Sequence, residues 1–303
     1  MTTVLITGGT GLVGKALTEI LLAKGYYVII LSRKPASNTQ KPNLQFARWD
    51  VTKKEIDIAA LQQADYIVHL AGAGVMDKRW TTAYKQEIID SRVKSAQLIV
   101  ENLRNYPNKV KAVISASAVG WYKPTGLEHT EDETADSSFL GTVCKQWEES
   151  IQPVTALGKR LVTLRIGIVL SKEGGALKEF IQPLKFGVAA ILGNGKQIVS
   201  WVHLEDLCRM FLFTMENENT AGVYNAVAPA PVSNKLLTIT LAKKRNRFYI
   251  PVYVPAFILK LMLGGGSTEV LKSCAVSCKK IESAGFSFKF AALDSALADL
   301  IKD

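Results

Sequence analysis

Cysteine and histidine are scarce in this chain, with four of the first and three of the second among 303 residues. Cys144, Cys208, Cys274 and Cys278 are too few and too scattered for a disulfide framework. The Cys274/Cys278 pair lacks the second half of a zinc site, so reduced packing thiols and no metal are expected. No run of about 18 apolar residues is present to cross a bilayer, the longest candidates being AAILG and AFILKLMLGGG. A strand beginning at Thr3 leaves no room for a cleaved signal peptide, so the expectation is a cytoplasmic protein with no membrane partner. The formal net charge of +10 comes without an aromatic-studded RNA motif, a zinc finger or a helix-turn-helix pattern. Anionic small molecules rather than nucleic acid are therefore the expected partners. The densest basic run, KKRNR from Lys243 to Arg247, reads as a solvated helix C-terminus whose cations complement the macrodipole. Repeats of solenoid type are also missing.

What the chain does have is glycine in one telling place, the stretch TGGTGLVG from Thr7 to Gly14. TVLIT before it reads as a buried parallel strand, and KALTEILLAKG after it has helical spacing of Ala16, Leu17, Ile20 and Leu21. The glycines thus lie on a strand-to-helix turn. There Gly8 permits the tight turn, Gly11 lets backbone N–H groups approach a pyrophosphate, and Gly14 allows the helix to pack on the strand. Gly8, Thr10, Gly11, Leu12 and Val13 are the expected cofactor loop of a dinucleotide site. The next strand, YYVIILSRKP, ends in Ser32, Arg33 and Lys34, where an NAD site commonly carries an acid for the ribose 2′-hydroxyl. A hydroxyl followed by two cations suits the 2′-phosphate of NADP(H) instead; the alternative is a solvent-facing basic loop.

Strand and helix signals then alternate through LQFARWD, DYIVHLAGAG, a long helix from Thr82 to about Asn105, KAVISASAVGWY, a helix around Cys144 to Ala156, and RLVTLRIGIVL. This is the rhythm of an α/β, Rossmann-type doubly wound parallel sheet. With 48% hydrophobic residues a sizeable core is available. The rhythm weakens after Leu170 and returns in VHLEDLCRMFLFTM and GVYNAVA. We therefore expect a dinucleotide-binding domain over 1–170, rejoined around 200–228, and a small C-terminal substrate-covering lobe from 171–199 and 229–303. The ligand crevice should be bordered by residues 8–13, Arg33, Leu70, Ala71, Gly72, Ser115 and Ser117, at the carboxyl ends of the strands.

Together these pieces resemble the extended short-chain dehydrogenase/reductase superfamily, the relatives of nucleotide-sugar epimerases and dehydratases. TGGTGLVG is similar to its cofactor loop, Trp49 and Asp50 to its adenine-side turn, HLAGAG to its fourth-strand loop and ISASAVGWY to its fifth strand. WVHLEDL and GVYNAVAP are similar to its later landmarks. LAGAGVMDKRWTTAYKQEIIDSRV, the WE of CKQWEES, VPAFILKLMLGG and IESAGFSFKF narrow the resemblance to a subgroup labelled epimerase family protein, with DKRW (Asp77 to Trp80) its most specific mark. The resemblance implies NADP(H) as cofactor and a small-molecule substrate; it does not name the substrate or an oligomeric state.

Hydride transfer in that superfamily uses a tyrosine paired with a lysine four residues later, and a Ser or Thr orienting the carbonyl. The segment concerned, SSFLGTVCKQWEE, contains no tyrosine. Aligning on Glu149 puts Gly141 and Lys145 at the two positions, and aligning on Glu148 puts Leu140 and Cys144 there. Ser117 matches the catalytic Ser/Thr by resemblance, and Ser91 falls where relatives carry an active-site asparagine. Tyr122, directly after the strand end, is the nearest replacement for the missing phenol, with packing as its other reading. The catalytic candidates are thus Ser117, Tyr122 and Lys145. Lys78 and Arg79 are candidates to clamp an anionic substrate or hold cofactor phosphates, against a plain salt-bridged surface, and Trp80 is either beside them or in the core. His203 is read as structural, and neither His69 nor His129 as catalytic. Two functions from different classes follow: an NADP-dependent oxidoreductase or epimerase acting on a carbonyl or hydroxyl carbon, and a nucleotide-binding sensor that has lost turnover.

Overall fold

A computed structural model describes residues 1–35, 41–246 and 248–301; Arg247 of the basic run lies outside them. Seven parallel strands form the main sheet: Thr3–Thr7, Tyr27–Ser32, Leu44–Asp50, Tyr66–His69, Ala112–Ala118, Arg160–Ile166 and Gly222–Ala226. The two-residue strand Glu55–Ile56 closes one edge antiparallel. From Thr3–Thr7 the chain adds Tyr27–Ser32 and Leu44–Asp50 on one side. It then returns to place Tyr66–His69 on the other side, followed outward by Ala112–Ala118, Arg160–Ile166 and Gly222–Ala226. This is a Rossmann-type doubly wound sheet, and its order reverses between Thr3–Thr7 and Tyr66–His69, where such folds open a ligand crevice.

The strands read as unbroken apolar runs because helices cover both faces. Leu17, Leu21, Met210 and Phe211, from helices Leu12–Ala23 and Leu204–Glu216, pack on one face with Ile6 and Ile114. Leu61, Ala96, Ile99 and Leu103, from helices Ile58–Gln63 and Thr82–Asn105, pack on the other with Leu5 and Val113. Thr82–Asn105 buries Ile88, Arg92, Ser95, Ile99 and Leu103, a stripe at three- and four-residue spacing that brings one cation inward with it. Its start is fixed by Thr81, whose side chain accepts from Tyr84 N, and helix Phe139–Ile151 is capped in the same way by Ser138.

The segments expected to form the C-terminal lobe share a separate core, with Leu177, Leu184, Leu237, Leu241 and Leu297 packed together with Trp201 of the returning segment. Strands Val188–Leu192 and Ile250–Val254 pair in parallel above it. Cys274, Val276, Cys278, Ile281 and Phe286, expected in this lobe, instead join the core beneath the main sheet. They do so because Ala275–Val276 pairs with Glu128–His129, a connection that no local pattern announces. All four cysteines are buried and free, and burial pushes the thiols of Cys208, Cys274 and Cys278 up to about 12. Among the described residues there is no group of three or more metal-ligating side chains, and no helix is long and apolar enough to cross a membrane.

Candidate active site at the carboxyl edge of the sheet

The glycine turn is built from backbone. Gly8 holds φ +69°, and a Cβ there would stand 2.7 Å from the Leu70 carbonyl carbon, so the turn and the 70–72 loop touch main chain to main chain. A Cβ on Gly14 would stand 2.5 Å from Gly9 Cα and would part the helix from the turn. Gly11 differs: a Cβ there would meet only Gly8 O, at 3.3 Å. Gly11 is also the N-cap of Leu12–Ala23, and no side chain caps that end. An uncapped helix start with an open backbone face suits a pyrophosphate, whose charge complements the exposed N–H groups and the dipole. Thr10 is exposed, and Leu12 and Val13 are half-buried at the same turn. The lobe reaches this loop through Gly175, where a Cβ would lie 3.2 Å from Leu12 Cδ2.

Behind the turn, Thr7 Oγ1 accepts from Leu70 N and Ala71 N, both at 3.2 Å, and lies 2.7 Å from His69 Nδ1. With two N–H groups already given to its oxygen, Thr7 donates to Nδ1, which leaves the proton of the imidazole on Nε2, 3.3 Å from Ser95 Oγ. Complete burial, aided by the Arg92 charge, holds His69 down at about 3, so it is a neutral clamp. Gly72 faces Arg92, whose Cζ would be 3.1 Å from an added Cβ. That guanidinium stacks over Trp147 at 5.0 Å and donates to Ile88 O. Ser91 accepts from Ala73 N at 2.9 Å and so holds the same loop.

At the end of Tyr27–Ser32, Ser32 bonds the backbone of Lys34, and Arg33 is exposed. Arg48, which no motif in the sequence marks, is the strand partner of Ser32 and donates from Nη1 to Arg33 O at 2.6 Å. It also pairs with Glu55 at 3.3 Å and Asp50 at 3.5 Å. Asp50 itself accepts from Thr52 N and Lys53 N, which shapes the turn after its strand.

The other end of the crevice is made of side chains. Ser117, 2% exposed, donates to Glu148 Oε1 at 2.6 Å. Glu148 is gripped by Arg165 through Nε at 2.9 Å and Nη2 at 3.0 Å, with side-chain exposures of 2% for Arg165 and 12% for Glu148. Arg165 is placed by register, opposite Ser117 on the neighbouring strand, and its Cζ lies 3.7 Å from the Trp121 ring centroid. A charge in the apolar run RLVTLRIGIVL was the available signal for it. Because the Ser117 proton is given to Glu148, the hydroxyl presents its lone pairs to a ligand in this arrangement. Ser115 is fully buried beside it, with its hydroxyl turned to Ala116 O.

Tyr122 does not serve as the missing phenol. It is fully buried, donates to Asn225 Oδ1 at 2.6 Å and accepts from Arg165 at 3.1 Å. Burial pushes its hydroxyl up to about 12, and its ring stacks on His129. The physical reason is that Val119–Trp121 coils into a short helix, which turns Tyr122 under the strand end rather than over it. Lys145 is corrected too: it points to solvent and pairs only loosely, at 3.8 Å, with Glu149. The face of Phe139–Ile151 turned to the strand end carries Leu140 and Cys144, whose Cβ and Sγ would lie 3.2 Å and 3.5 Å from a Cβ on Gly120. The inward positions of this helix are thus those of the register on Glu148, occupied by Leu140 and by the Cys144 thiol, which burial raises to about 11.

The DKRW segment faces the lobe. Trp80 donates from Nε1 to Val75 O at 2.8 Å, packs edge-on against Phe139, and receives Gly265 and Gly266 against its ring. Arg79 lies against Gly264, while Lys78 pairs with Glu87 at 3.2 Å in solvent.

A family model described as the NAD dependent epimerase/dehydratase family matches residues 4–226. The chain belongs to that family. A second model, "Domain of unknown function (DUF1731)", matches residues 254–300. An epimerase family protein of Staphylococcus haemolyticus is 37% identical over 300 residues, covering 98% of both chains. The crystal structure of human epimerase family protein SDR39U1 with NADPH is 28% identical, with a TM-score of 0.88 over 99% of each chain. A nucleoside-diphosphate sugar epimerase of Corynebacterium glutamicum is 30% identical with a TM-score of 0.79; it covers 99% of this chain, which spans 58% of that longer one.

Proposed function

We propose that this family member binds NADP(H) and acts as an oxidoreductase or epimerase on a carbonyl or hydroxyl carbon of a small anionic substrate of the nucleotide-sugar kind. The observation that carries the cofactor reading is the end of Tyr27–Ser32. It offers a hydroxyl, an exposed Arg33 and Lys34 with no acid, and Arg48 braces the Arg33 carbonyl. Such a strand end attracts a 2′-phosphate and has no carboxylate to accept from a 2′-hydroxyl. That NADPH is bound to the human relative of similar fold supports the same choice. When bound, the cofactor supplies the hydride acceptor or donor, while the chain holds its pyrophosphate on residues 8–13 and its adenine side near Asp50. The approach of later chain to this edge, Gly175 against Leu12 and Gly264–Gly266 against the DKRW segment, supports turnover over sensing.

A second reading, a dinucleotide sensor without turnover, is favoured by two observations: no tyrosine stands at position 140 or 141, and Ser117 gives its proton to Glu148. Calorimetric titration of NADPH and NADH tests the cofactor choice. A charge-assisted contact to phosphate is worth roughly 1.5 to 3 kcal/mol, so Arg33→Ala should weaken NADPH on the order of ten- to a hundredfold and leave NADH nearly unchanged. Equal losses for both cofactors, or a wild type favouring NADH, would sink the NADP(H) reading.

A further inference from the structure

The apolar run AFILKLMLGGG, too short to cross a bilayer, forms helix Ala256–Leu263, and this helix turns apolar side chains outward. Leu259 is buried, while Phe257 and Leu261, one turn apart, are 69% and 71% exposed. Strand Ile250–Val254 leads into the helix through Pro255 and exposes Ile250, Val252 and Tyr253. At the start of that strand Ile250 N bonds Gly187 O, which brings Phe186 and Phe248 onto neighbouring backbone, 84% and 81% exposed. The three phenylalanines alone offer roughly 400 Å² to solvent. That matches the largest apolar patch an ordinary soluble monomer carries. The surrounding charge has one sign. From Asn219 to Thr268 the chain has no aspartate or glutamate and six cations, Lys235, Lys243, Lys244, Arg245, Arg247 and Lys260. Lys260 stands beside Phe257 and Leu261 on the helix, Lys185 adjoins Phe186, and Lys235 Nζ lies 6.0 Å from the Tyr253 ring centroid; all three lysines are exposed. Lys244 is taken up by Asp294 at 2.7 Å.

We propose that this face docks on an anionic bilayer surface, with Phe186, Phe248, Phe257 and Leu261 entering the boundary between headgroups and acyl chains and Lys185, Lys235 and Lys260 meeting lipid phosphates. The proposal stands apart from the function proposed above. The expectation of no membrane partner rested on the missing spanning segment, and a face that lies on a bilayer needs none. Stable attachment without a spanning helix takes two signals, apolar insertion and a basic patch, and both are present here. Charge chooses between the possible occupants. Two copies of this chain meeting at the face would set cations against cations, whereas an anionic surface answers them. Strand addition by a second copy is also discouraged. Ile250 N bonds Gly187 O, and Val254 O accepts from Gly193 N, so the alternate residues Pro251 and Tyr253 turn their backbone to the outer edge. Proline has no N–H to offer there, a feature that protects edge strands from pairing. The backbone of that edge is satisfied by water or headgroups, so the contact is confined to the interfacial layer and only side chains enter deeper.

Co-sedimentation of the full chain with vesicles tests this directly. Vesicles of phosphatidylcholine with about one-third phosphatidylglycerol should bind the protein, and vesicles of phosphatidylcholine alone should bind it at least roughly tenfold more weakly. Raising the salt from about 0.1 M to 0.5 M should weaken the attachment, because the lysines are exposed and screened. Two double variants separate the two signals. Phe257→Ser with Leu261→Ser removes apolar insertion, and Lys185→Glu with Lys260→Glu reverses part of the charge. Each should lower binding to the anionic vesicles at least roughly tenfold while thermal unfolding stays at the wild-type temperature, since all four side chains are exposed. The proposal is overturned if the wild type ignores anionic vesicles, if it binds both vesicle types alike, or if either double variant binds as the wild type does. Sedimentation equilibrium without lipid supplies the remaining outcome: a dimer that Phe257→Ser with Leu261→Ser disperses would show the face to be covered by a second copy and would overturn the bilayer reading.

Discussion

The two ends of the crevice are made of different material. At the glycine turn the ligand surface is main chain, and the residues that matter are those where a side chain would not fit: Gly8 against Leu70, Gly14 against Gly9. At the Ser117 end the surface is a side-chain network in which Ser117, Glu148, Arg165, Tyr122 and Asn225 satisfy one another. A backbone site tolerates change everywhere except at its glycines. A buried network has no indifferent member, because each group is the desolvation partner of the next. The first end should therefore fail by loss of binding, and the second by loss of stability.

The sharpest break of that contrast is Glu148→Ala. It leaves the Arg165 guanidinium buried without its carboxylate, which should cost about 3 to 5 kcal/mol in urea unfolding while NADPH affinity in the folded protein changes little. A cost below about 1 kcal/mol would mean that water reaches Arg165. Acid tests the boundary between the two ends. His69 is held at about 3 in the fold against 6.5 when unfolded. It contributes no pH dependence above 6.5, where both states are neutral. Below 6.5 only the unfolded chain takes the proton, so stability should fall by about 1.4 kcal/mol per pH unit from this group, towards its folded value near 3. His203, also lowered by burial, acts in the same direction. His69→Gln should flatten the slope between pH 6.5 and 5 by about that amount, and an unaltered slope would refute the neutral clamp.

Tyr122→Phe is expected to be milder. It strips a partner from Asn225 and Arg165 and should cost about 1 to 2 kcal/mol in stability, with NADPH binding unaffected. A tenfold loss of turnover without any loss of stability would return Tyr122 to the chemistry. Lys145→Ala should do least, under about 0.5 kcal/mol and with no effect on catalysis, since its pairing with Glu149 is long and exposed.

What the sequence disclosed follows the same division. The strand-to-helix turn and the doubly wound parallel sheet were legible because steric exclusion at Gly8 and Gly14 and the alternation of strand and helix signals leave marks in the residues themselves. Ser117 was singled out by resemblance alone. Glu148 served only as an alignment anchor, yet it holds both Ser117 and Arg165. Tyr122 misled because proximity in sequence to a strand end says nothing of the side to which a short helical turn will aim the ring. Asp136 and Lys272 were invisible for a different reason: they are far apart in the chain, and only its return over Gly120 brings the Lys272 ammonium to 3.5 Å from Asp136. The run Gly264–Gly266 has no local reason for its glycines in the sequence; the reason is the Trp80 ring packed against it.

That triglycine makes the lobe and the sheet a matched pair. A Cβ on Gly264 would stand 2.9 Å from Arg79 Nε, one on Gly265 3.3 Å from the Trp80 ring, and one on Gly266 3.2 Å from Met76 Cε. A chimera that grafts a foreign lobe onto this sheet should therefore keep glycine at 264, whose φ of +59° side chains rarely adopt, and let Trp80 and Met76 shift slightly to admit a side chain at 265 or 266. The unit of exchange is the glycine run together with its loop, and recombination that separates them would produce hybrids whose seam must repack around Met76, Arg79 and Trp80.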